Sequence, residues 1–301
     1  MNTQEYKQIL SDSDHFFSAL ITAHQSMDFS SRFHGFAQAF VGTPYCLNAL
    51  GEGVGADFDQ YPHYRSDAVD CVTLINTLLA LLMSHSVCCF KKNMALLSYG
   101  DNKIAYAHRF HFTVSQWNVS LSQRGVLQDI TKDLSSLLPR HALCHSHVQI
   151  DQQSWYARKT IQDVRLLNDA SNEKKQHRLD QLLLAVRHLV PLESHIDFIT
   201  FEALFSLAST DRHLFYAAIP CGVIVEIVRR DWTIEDVIGT PLDVCHMGLI
   251  RQVGGEVYCQ HASSLQGEVV MELCDDFFRS WLTLDSSSGI NFQQIIIDET
   301  N

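Results

Sequence analysis

The clearest pattern of polar and apolar positions in this chain lies between residues 64 and 82. A polar, turn-forming lead runs there into a largely apolar segment of helix length. An aspartate just before such a segment, Asp67 or Asp70, can cap the first helical turn. We therefore predict a buried helix that begins near Cys71. The Cys71 thiol would meet unpaired backbone N–H groups at the positive end of the helix dipole.

Apolar residues at helical spacing recur in other parts of the chain. Residues 3–25 and 31–40 are predicted to be helices with one core-facing side. Between 150 and 190 a polar stretch leads into a leucine stripe that is typical of a packing helix. We predict that residues 141–200 form a helical insertion within one catalytic domain that spans residues 1–301.

Alternation of apolar and polar positions predicts strands elsewhere. The segment 102–114 alternates in part and is predicted to be a strand that carries Arg109, Phe110 and His111, with Trp117 close behind it. Aromatic rings beside an arginine can form a platform for a sugar or a peptide. An aromatic core face explains the same pattern equally well.

Two strand-like runs near the end of the chain, 243–253 and 256–263, flank Gly254-Gly255. A glycine pair between strands predicts a two-residue hairpin turn, which fixes the register of the two strands. The predicted facing pairs are Val253 with Glu256, Leu249 with Gln260, Gly248 with His261 and His246 with Ser263.

This register brings two histidines together. Side chains alternate along a strand, so His246 and Gly248 share a face, and His261 joins them from the neighbouring strand. His246 and His261 are then diagonal neighbours with Cβ atoms about 7 Å apart or less. Because glycine faces His261, an imidazole has room to lean towards its neighbour.

Composition narrows the possible partners. The chain has 301 residues, 46% of them hydrophobic, and a formal net charge of −12. That negative charge argues against sequence-independent binding to nucleic acid and against binding to an anionic membrane. The longest apolar run is too short to span a bilayer. The chain start shows no basic region followed by an apolar one, so no secretory leader is predicted.

Cysteine and histidine are frequent, with nine and sixteen residues. An odd number of cysteines without framework spacing favours reduced thiols over a disulfide scaffold. The densest group of metal-ligand types is His141, Cys144, His145 and His147, whose spacing fits no zinc pattern. We therefore expect no metal at this cluster.

Cys71, His246 and His261 together have the residue types of a nucleophile, a base and a group that orients the base. A helix N-terminus lowers the pKa of a thiol, so Cys71 is expected to be a reactive thiolate and the fastest cysteine to alkylate. The alternative is that Cys71 is one more small, buried apolar residue.

At this point the chain resembles the NlpC-type cell-wall hydrolases, which have a papain-like fold. Gly42-Thr43-Pro44-Tyr45 is similar to the tyrosine motif of that family, Asp70-Cys71 to its nucleophile motif, His246-Met247-Gly248 to its base motif and His261-Ala262-Ser263 to its third-residue motif. One branch of that family, which has a large helical insertion, is similar in Arg109-Phe110-His111, in Trp117, and in Gly125 with Asp129-Ile130-Thr131. That branch acts as an N-acetylmuramoyl-L-alanine amidase.

The resemblance implies an α+β papain-like fold, with the nucleophile at a helix N-terminus packed on an antiparallel sheet and extra N-terminal helices. It implies that Cys71 attacks an amide carbonyl, that His246 carries the proton and that His261 orients His246. The Cys71 backbone N–H and Tyr45 would stabilise the oxyanion. The expected substrate-binding residues are Asp70, Arg109, Phe110, His111 and Trp117.

The resemblance also implies peptidoglycan or a muropeptide as substrate, without a metal or cofactor. A monomer in the periplasm or cell envelope is expected, or in the cytoplasm if this chain start is the true one. Val72 and Met247 depart from the usual motifs of the family, which bears on specificity more than on chemistry.

Three other functions remain open at this stage. The same fold can cut the stem peptide between D-glutamate and the diamino acid. It can also act on proteins, as a cysteine protease or deamidase. Finally, a non-catalytic binding module can keep the fold without a reactive thiol.

Overall fold

Helices on both sides of one antiparallel sheet build the protein, and a computed structural model describes its residues 1–284, 286 and 288–297. The α-helices are α1 (Thr3–His24), α2 (Phe29–Ala39), α3 (Cys71–Leu82), α4 (Val87–Ser98), α5 (Val119–Gln123), α6 (Thr131–Ser135), α7 (Gln152–Ala157), α8 (Asn172–Val186), α9 (Phe201–Ser206), α10 (Ser209–Ala217), α11 (Glu235–Ile238) and α12 (Cys274–Trp281). The strands are β1 (Leu127–Asp129), β2 (Leu143–Ile150), β3 (Leu192–Thr200), β4 (Val223–Val228), β5 (Val244–Val253), β6 (Glu256–Ser263), β7 (Glu268–Leu273) and β8 (Gly289–Ile295). This arrangement confirms the predicted mixed α+β class with an antiparallel sheet.

The sheet has the strand order β2-β3-β8-β4-β5-β6-β7, and β1 pairs with β8. The predicted β5–β6 hairpin is present, with Leu249 opposite Gln260 and Val253 opposite Glu256. Gly254 and Gly255 both have positive φ angles, of 62° and 88°. A two-residue hairpin turn of this kind requires that backbone, which glycine adopts without strain.

The β5–β6 ladder is shorter than its strands. Its register runs only from Leu249 to Val253 on β5, although β5 begins at Val244. Before Leu249, β5 continues to pair with β4, and the far end of β6 pairs with β7. The ladder therefore ends before the predicted pairs of Gly248 with His261 and of His246 with Ser263, and it contains neither of them.

Each sheet face has its own apolar cluster. Met247 and Leu249 belong to the cluster that contains Leu74 and Ile75 of α3. Ile250, Cys259 and the α12 residue Phe277 belong to a second cluster. Because side chains alternate along β5, α3 and α12 cover opposite faces of the sheet.

Helix α3 lies in the middle of its cluster, and every residue from Thr73 to Leu82 is buried. It begins at Cys71, as the sequence predicts, because the Asp70 side chain accepts a hydrogen bond from the Thr73 backbone N–H at 2.8 Å. The predicted helices 3–25 and 31–40 correspond to α1 and α2.

The strand predicted for 102–114 is wrong. The chain there forms a 3₁₀ turn at Tyr106–His108 and a π-helical turn at Thr113–Asn118. The backbone N–H groups of His111 and Phe112 both donate to the Gln116 side-chain oxygen, at 2.9 and 3.2 Å. A local side chain thus satisfies amides that a strand would give to a ladder.

Segment 141–200 is not helical throughout, which corrects the prediction for it. It begins with β2 and ends with β3, which pair with each other, and α7 and α8 lie between them. Two buried serines, Ser146 and Ser194, hydrogen-bond to Asp243 at 2.5 and 2.6 Å. Polar residues on the buried side obscure the strand pattern in the sequence.

All nine cysteines are free thiols, as predicted. Within the described ranges, no helix has both the length and the apolar character needed to cross a membrane.

Candidate active site

Cys71 is the first residue of α3 and is half-buried. The backbone N–H of Met247 hydrogen-bonds to the thiol, so Cys71 lies against the peptide that follows His246. Burial, together with the nearby Asp70 carboxylate, raises the pKa of Cys71 to about 12. The backbone N–H groups around the sulfur oppose that rise without cancelling it.

The expectation of a lowered thiol pKa is therefore wrong for the free protein. The helix N-terminus is present, but desolvation and Asp70 outweigh it. Cys71 is a neutral thiol near neutral pH.

Cys71 opens onto a cleft of about 380 Å³. Five stretches of chain form its walls: residues 45–50, 59–63, 70–76 at the start of α3, 98–111 and 155–165. The last of these belongs to the 141–200 segment, which thereby walls one side of the cleft. Tyr45, Asp70, Arg109, Phe110 and His111 all line the cleft, as expected for residues near a substrate.

Arg109 is already neutralised by protein carboxylates. Its guanidinium contacts Glu52 and lies 3.4 Å from Asp59. Arg165 contacts the same Asp59 and donates to the Leu50 carbonyl at 2.7 Å. Arg109 and Arg165 thus tie the cleft walls together, which leaves Arg109 less capacity to bind a sugar.

Trp117 does not line the cleft, contrary to expectation. It is 3% exposed, and its indole N–H donates to the Asn76 side chain at 2.8 Å. The π-helical turn carries it into the α3 cluster. The sequence places an aromatic residue here but does not show which way the turn directs it.

Trp155, which the sequence analysis did not single out, supplies an indole to the cleft. The Trp155 ring centre lies 4.5 Å from that of His111. The Lys159 ammonium lies over the Trp155 ring, 3.8 Å from its centre. Burial lowers the pKa of Lys159. Trp155 and Lys159 come from the predicted insertion, where no motif marks them.

Tyr45 lies close to the thiol. Burial raises the pKa of Tyr45 to about 12, with further contributions from Cys71 and Asp70. The phenol is therefore protonated and able to donate a hydrogen bond. An isolated β-bridge between Tyr45 and Val69 holds the backbone of residues 45–50, one wall of the cleft, beside the start of α3.

His246 and His261 meet as the sequence predicts. His246 Nε2 lies 2.9 Å from His261 Nδ1. Gly248 is essential for this approach, since a Cβ there would lie 2.6 Å from Cys259 Sγ and 3.3 Å from His261 Cβ. Burial lowers the pKa of His246 to about 3, and His261 adds to that effect.

A carboxylate completes the row of histidines. His261 Nε2 lies 2.7 Å from Glu272 Oε2 on β7. Burial lowers the pKa of His261, while Glu272 opposes the change. No motif in the sequence marks Glu272. The signal that points to it is the β6–β7 register, which sets Cys259 opposite Glu272 and so makes Glu272 a diagonal neighbour of His261.

The histidine pair contacts the α12 side of the sheet. The His246 ring lies 5.7 Å from that of Trp281, and the His261 ring lies 4.6 Å from that of Phe277. Among the described side chains, no hydrogen bond joins the Cys71 thiol to either imidazole. The structure thus brings Cys71 to the backbone beside His246 but leaves thiol and imidazole unbonded.

A buried carboxyl lies near the same strand. Glu226 on β4 is opposite Met247 and fully buried. It accepts a hydrogen bond from the Asn118 amide at 2.9 Å. Burial raises the pKa of Glu226 to about 8, so this side chain is neutral at neutral pH.

One exposed group within the described chain could hold a metal ion. His147, Glu193 and His195 offer ligand atoms within 4.8 Å of one another. Of the four residues His141, Cys144, His145 and His147 noted in the sequence, only His147 belongs to this group. None of the three lines the cleft.

Comparison with known proteins shows the family to which the chain belongs. The family model described as AmiA-like, N-acetylmuramoyl-L-alanine amidase-like, matches residues 35–282, and the chain belongs to that family. No significant match is found among proteins of curated function.

Two solved structures show the same architecture. A protein from Legionella pneumophila str. Philadelphia 1 is 30% identical over 97% of both chains, with a TM-score of 0.90. An N-acetylmuramoyl-L-alanine amidase from Bacteroides uniformis is 20% identical, with a TM-score of 0.57 over 89% of this chain and 99% of that one. At that identity the second likeness concerns the fold.

Proposed function

We propose that this member of the amidase-like family hydrolyses the amide bond between N-acetylmuramic acid and L-alanine, with Cys71 as nucleophile. The observation that carries the proposal is the Cys71 thiol, which lies at the first turn of a capped helix, opens onto the cleft and contacts the peptide next to His246.

The reaction begins from a neutral thiol and a neutral imidazole. The Cys71 sulfur attacks the amide carbonyl while its proton passes to His246, and a tetrahedral intermediate forms. His246 then gives the proton to the leaving amine as the C–N bond breaks. A water molecule hydrolyses the thioester with His246 again as base, which restores the thiol.

In the free protein the His246 imidazole packs against Phe277 and Trp281 of α12, whereas Cys71 begins α3, which covers the other face of the sheet. The proton transfer therefore requires the imidazole to approach the thiol when substrate binds. Catalytic hydrogen bonds are often long in free enzymes and shorten when substrate binds. A carbonyl oxygen near the first turn of α3 would meet the backbone N–H of Cys71 and the Tyr45 hydroxyl, which can stabilise the oxyanion.

The cleft suits a substrate with a sugar on its acyl side. Aromatic rings stack on the C–H faces of sugars, and Phe110, His111 and Trp155 offer such rings beside the nucleophile. The Lys159 ammonium, for which no salt bridge is found among the described residues, provides a positive charge for a carboxylate of the stem peptide.

The test is a paired digest by the wild-type protein of a muropeptide and the same stem peptide without its sugar, read by mass spectrometry. The proposal predicts release of the intact stem peptide from the muropeptide and no cleavage of the free peptide. Release of L-Ala-D-Glu would show endopeptidase activity instead. Cleavage of a protein substrate alone would show a protease or deamidase, and binding without cleavage a non-catalytic module.

A further inference from the structure

Glu272 lies at the end of a row of three hydrogen-bonding groups. The row runs from His246 through His261 to Glu272, with contacts of 2.9 and 2.7 Å. A second contact holds the carboxylate, because the Gln266 amide donates to Glu272 Oε1 at 3.2 Å. The 37% exposure of Glu272 contrasts with 7% for the His261 side chain.

Only one arrangement of protons fits this row when both imidazoles are neutral. A carboxylate only accepts hydrogen bonds, so His261 carries its proton on Nε2 and donates it to Glu272. His261 Nδ1 is then an acceptor, and His246 Nε2 must donate to it. This leaves the lone pair of His246 on Nδ1, the nitrogen that makes no contact with His261.

We propose that Glu272 is a positioning residue that sets the tautomer of His246 through His261 and so makes His246 Nδ1 the base of the reaction. The inference rests on the proposed function for the role of the base. The tautomers themselves do not depend on it. Without an acceptor at 272, His261 is free to hold its proton on Nδ1 and to donate it to His246. His246 Nδ1 would then be protonated and unable to accept the thiol proton.

Nitrogen-15 NMR of the histidine side chains tests the tautomers directly. In the wild-type protein we expect both His246 and His261 to be protonated on Nε2, whereas in Glu272→Ala both should change to a mixture of tautomers. Glu268→Ala is the matched control, because Glu268 is an exposed glutamate on the same strand. A wild-type His246 protonated on Nδ1, or unchanged tautomers in Glu272→Ala, would overturn the proposal.

Kinetics provide the second measurement. We expect Glu272→Ala to lower kcat roughly tenfold to a hundredfold, with KM nearly unchanged, as for other groups that orient a catalytic side chain. Glu272→Asp, which keeps a carboxylate, should recover part of the loss. A raised KM with unchanged kcat would assign Glu272 to substrate binding instead.

The two proposals fail separately. If muropeptides are not cut but Glu272→Ala changes the tautomers of His246 and His261, the proposed amidase activity is wrong and the role of Glu272 is supported. If muropeptides are cut and the tautomers do not respond, only the role of Glu272 falls.

Discussion

His246 and His261 lie on neighbouring strands with their ring planes at 86° and a 2.9 Å contact between Nε2 and Nδ1. An edge-to-face pair of this kind leaves one nitrogen of His246 unused by the contact. The second imidazole, whose side chain is 7% exposed, holds the first in a fixed orientation. A general base needs that fixed orientation to accept and return a proton within one catalytic cycle.

The first prediction concerns the nucleophile. Cys71→Ala should lower muropeptide hydrolysis by about a thousandfold or more, because no other atom replaces the sulfur. The fold should survive, since alanine favours a helix, and a thermal melt will check this. Cys88→Ala, a change at an exposed cysteine of α4, serves as the control. Activity of Cys71→Ala within about tenfold of wild type would exclude a covalent route through this thiol.

The second prediction concerns alkylation. Because the pKa of Cys71 is raised to about 12, its thiolate fraction at pH 7 is small and grows about tenfold with each pH unit below that value. In the free protein, iodoacetamide should therefore label the exposed Cys88 before Cys71. Peptide mapping at pH 7, 8 and 9 measures both rates. Preferential labelling of Cys71 at pH 7 would show that the thiolate is present before substrate binds.

The third prediction ranks the histidines. His246→Ala should be as inactive as Cys71→Ala, because His246 takes part in both proton transfers. His261→Asn should keep a measurable fraction of kcat, since an amide can still accept from His246. Steady-state kinetics on one muropeptide compare them. The reverse ranking would mean that the roles are exchanged.

Local sequence signals predicted the backbone around Cys71 and the hairpin of the two histidines. Asp70 ahead of an apolar run marks a helix start, and Gly254-Gly255 between alternating strands fixes a register. Both signals act over a few residues, so no knowledge of the remaining chain is needed.

Other parts of the site depend on distant contacts. Trp117 and Trp155 are both aromatic residues near polar neighbours, yet a π-helical turn buries the first and the 155–165 wall exposes the second to the cleft. The thiol pKa also could not be predicted, because the helix dipole is a local effect whereas burial of Cys71 depends on β5.

The fourth prediction separates these two tryptophans. Trp155→Ala should raise KM for a sugar-bearing substrate roughly tenfold, about 1.4 kcal/mol, through loss of ring stacking. Trp117→Phe removes the hydrogen bond to Asn76 and should lower the free energy of unfolding by about 1 kcal/mol without changing KM. Kinetics and urea denaturation of both variants test the pair. If Trp117→Phe changed KM without changing stability, Trp117 would be a substrate-binding residue after all.

The fifth prediction concerns pH and Glu226. Its pKa is about 8 in the folded chain, compared with 4.5 for an unperturbed glutamate. The unfolded chain therefore loses this proton first as the pH rises, and stability falls between those two values. Glu226→Gln stays neutral and should be more stable than wild type at pH 8 by roughly 2–4 kcal/mol. The advantage should vanish near pH 4, as urea denaturation at both pH values will show.

The β5–β6 ladder stops at Leu249 although β5 begins at Val244, and this has a consequence for how the protein can evolve. Beyond Leu249, where the β5–β6 ladder ends, the contact between His246 and His261 links the two strands through their side chains. The imidazole proposed for proton transfer through Nδ1 is then also the side chain that links the two strands through Nε2. Substitution of either histidine would then weaken both the proposed base and this link between β5 and β6, so selection acts on activity and on stability at the same two positions.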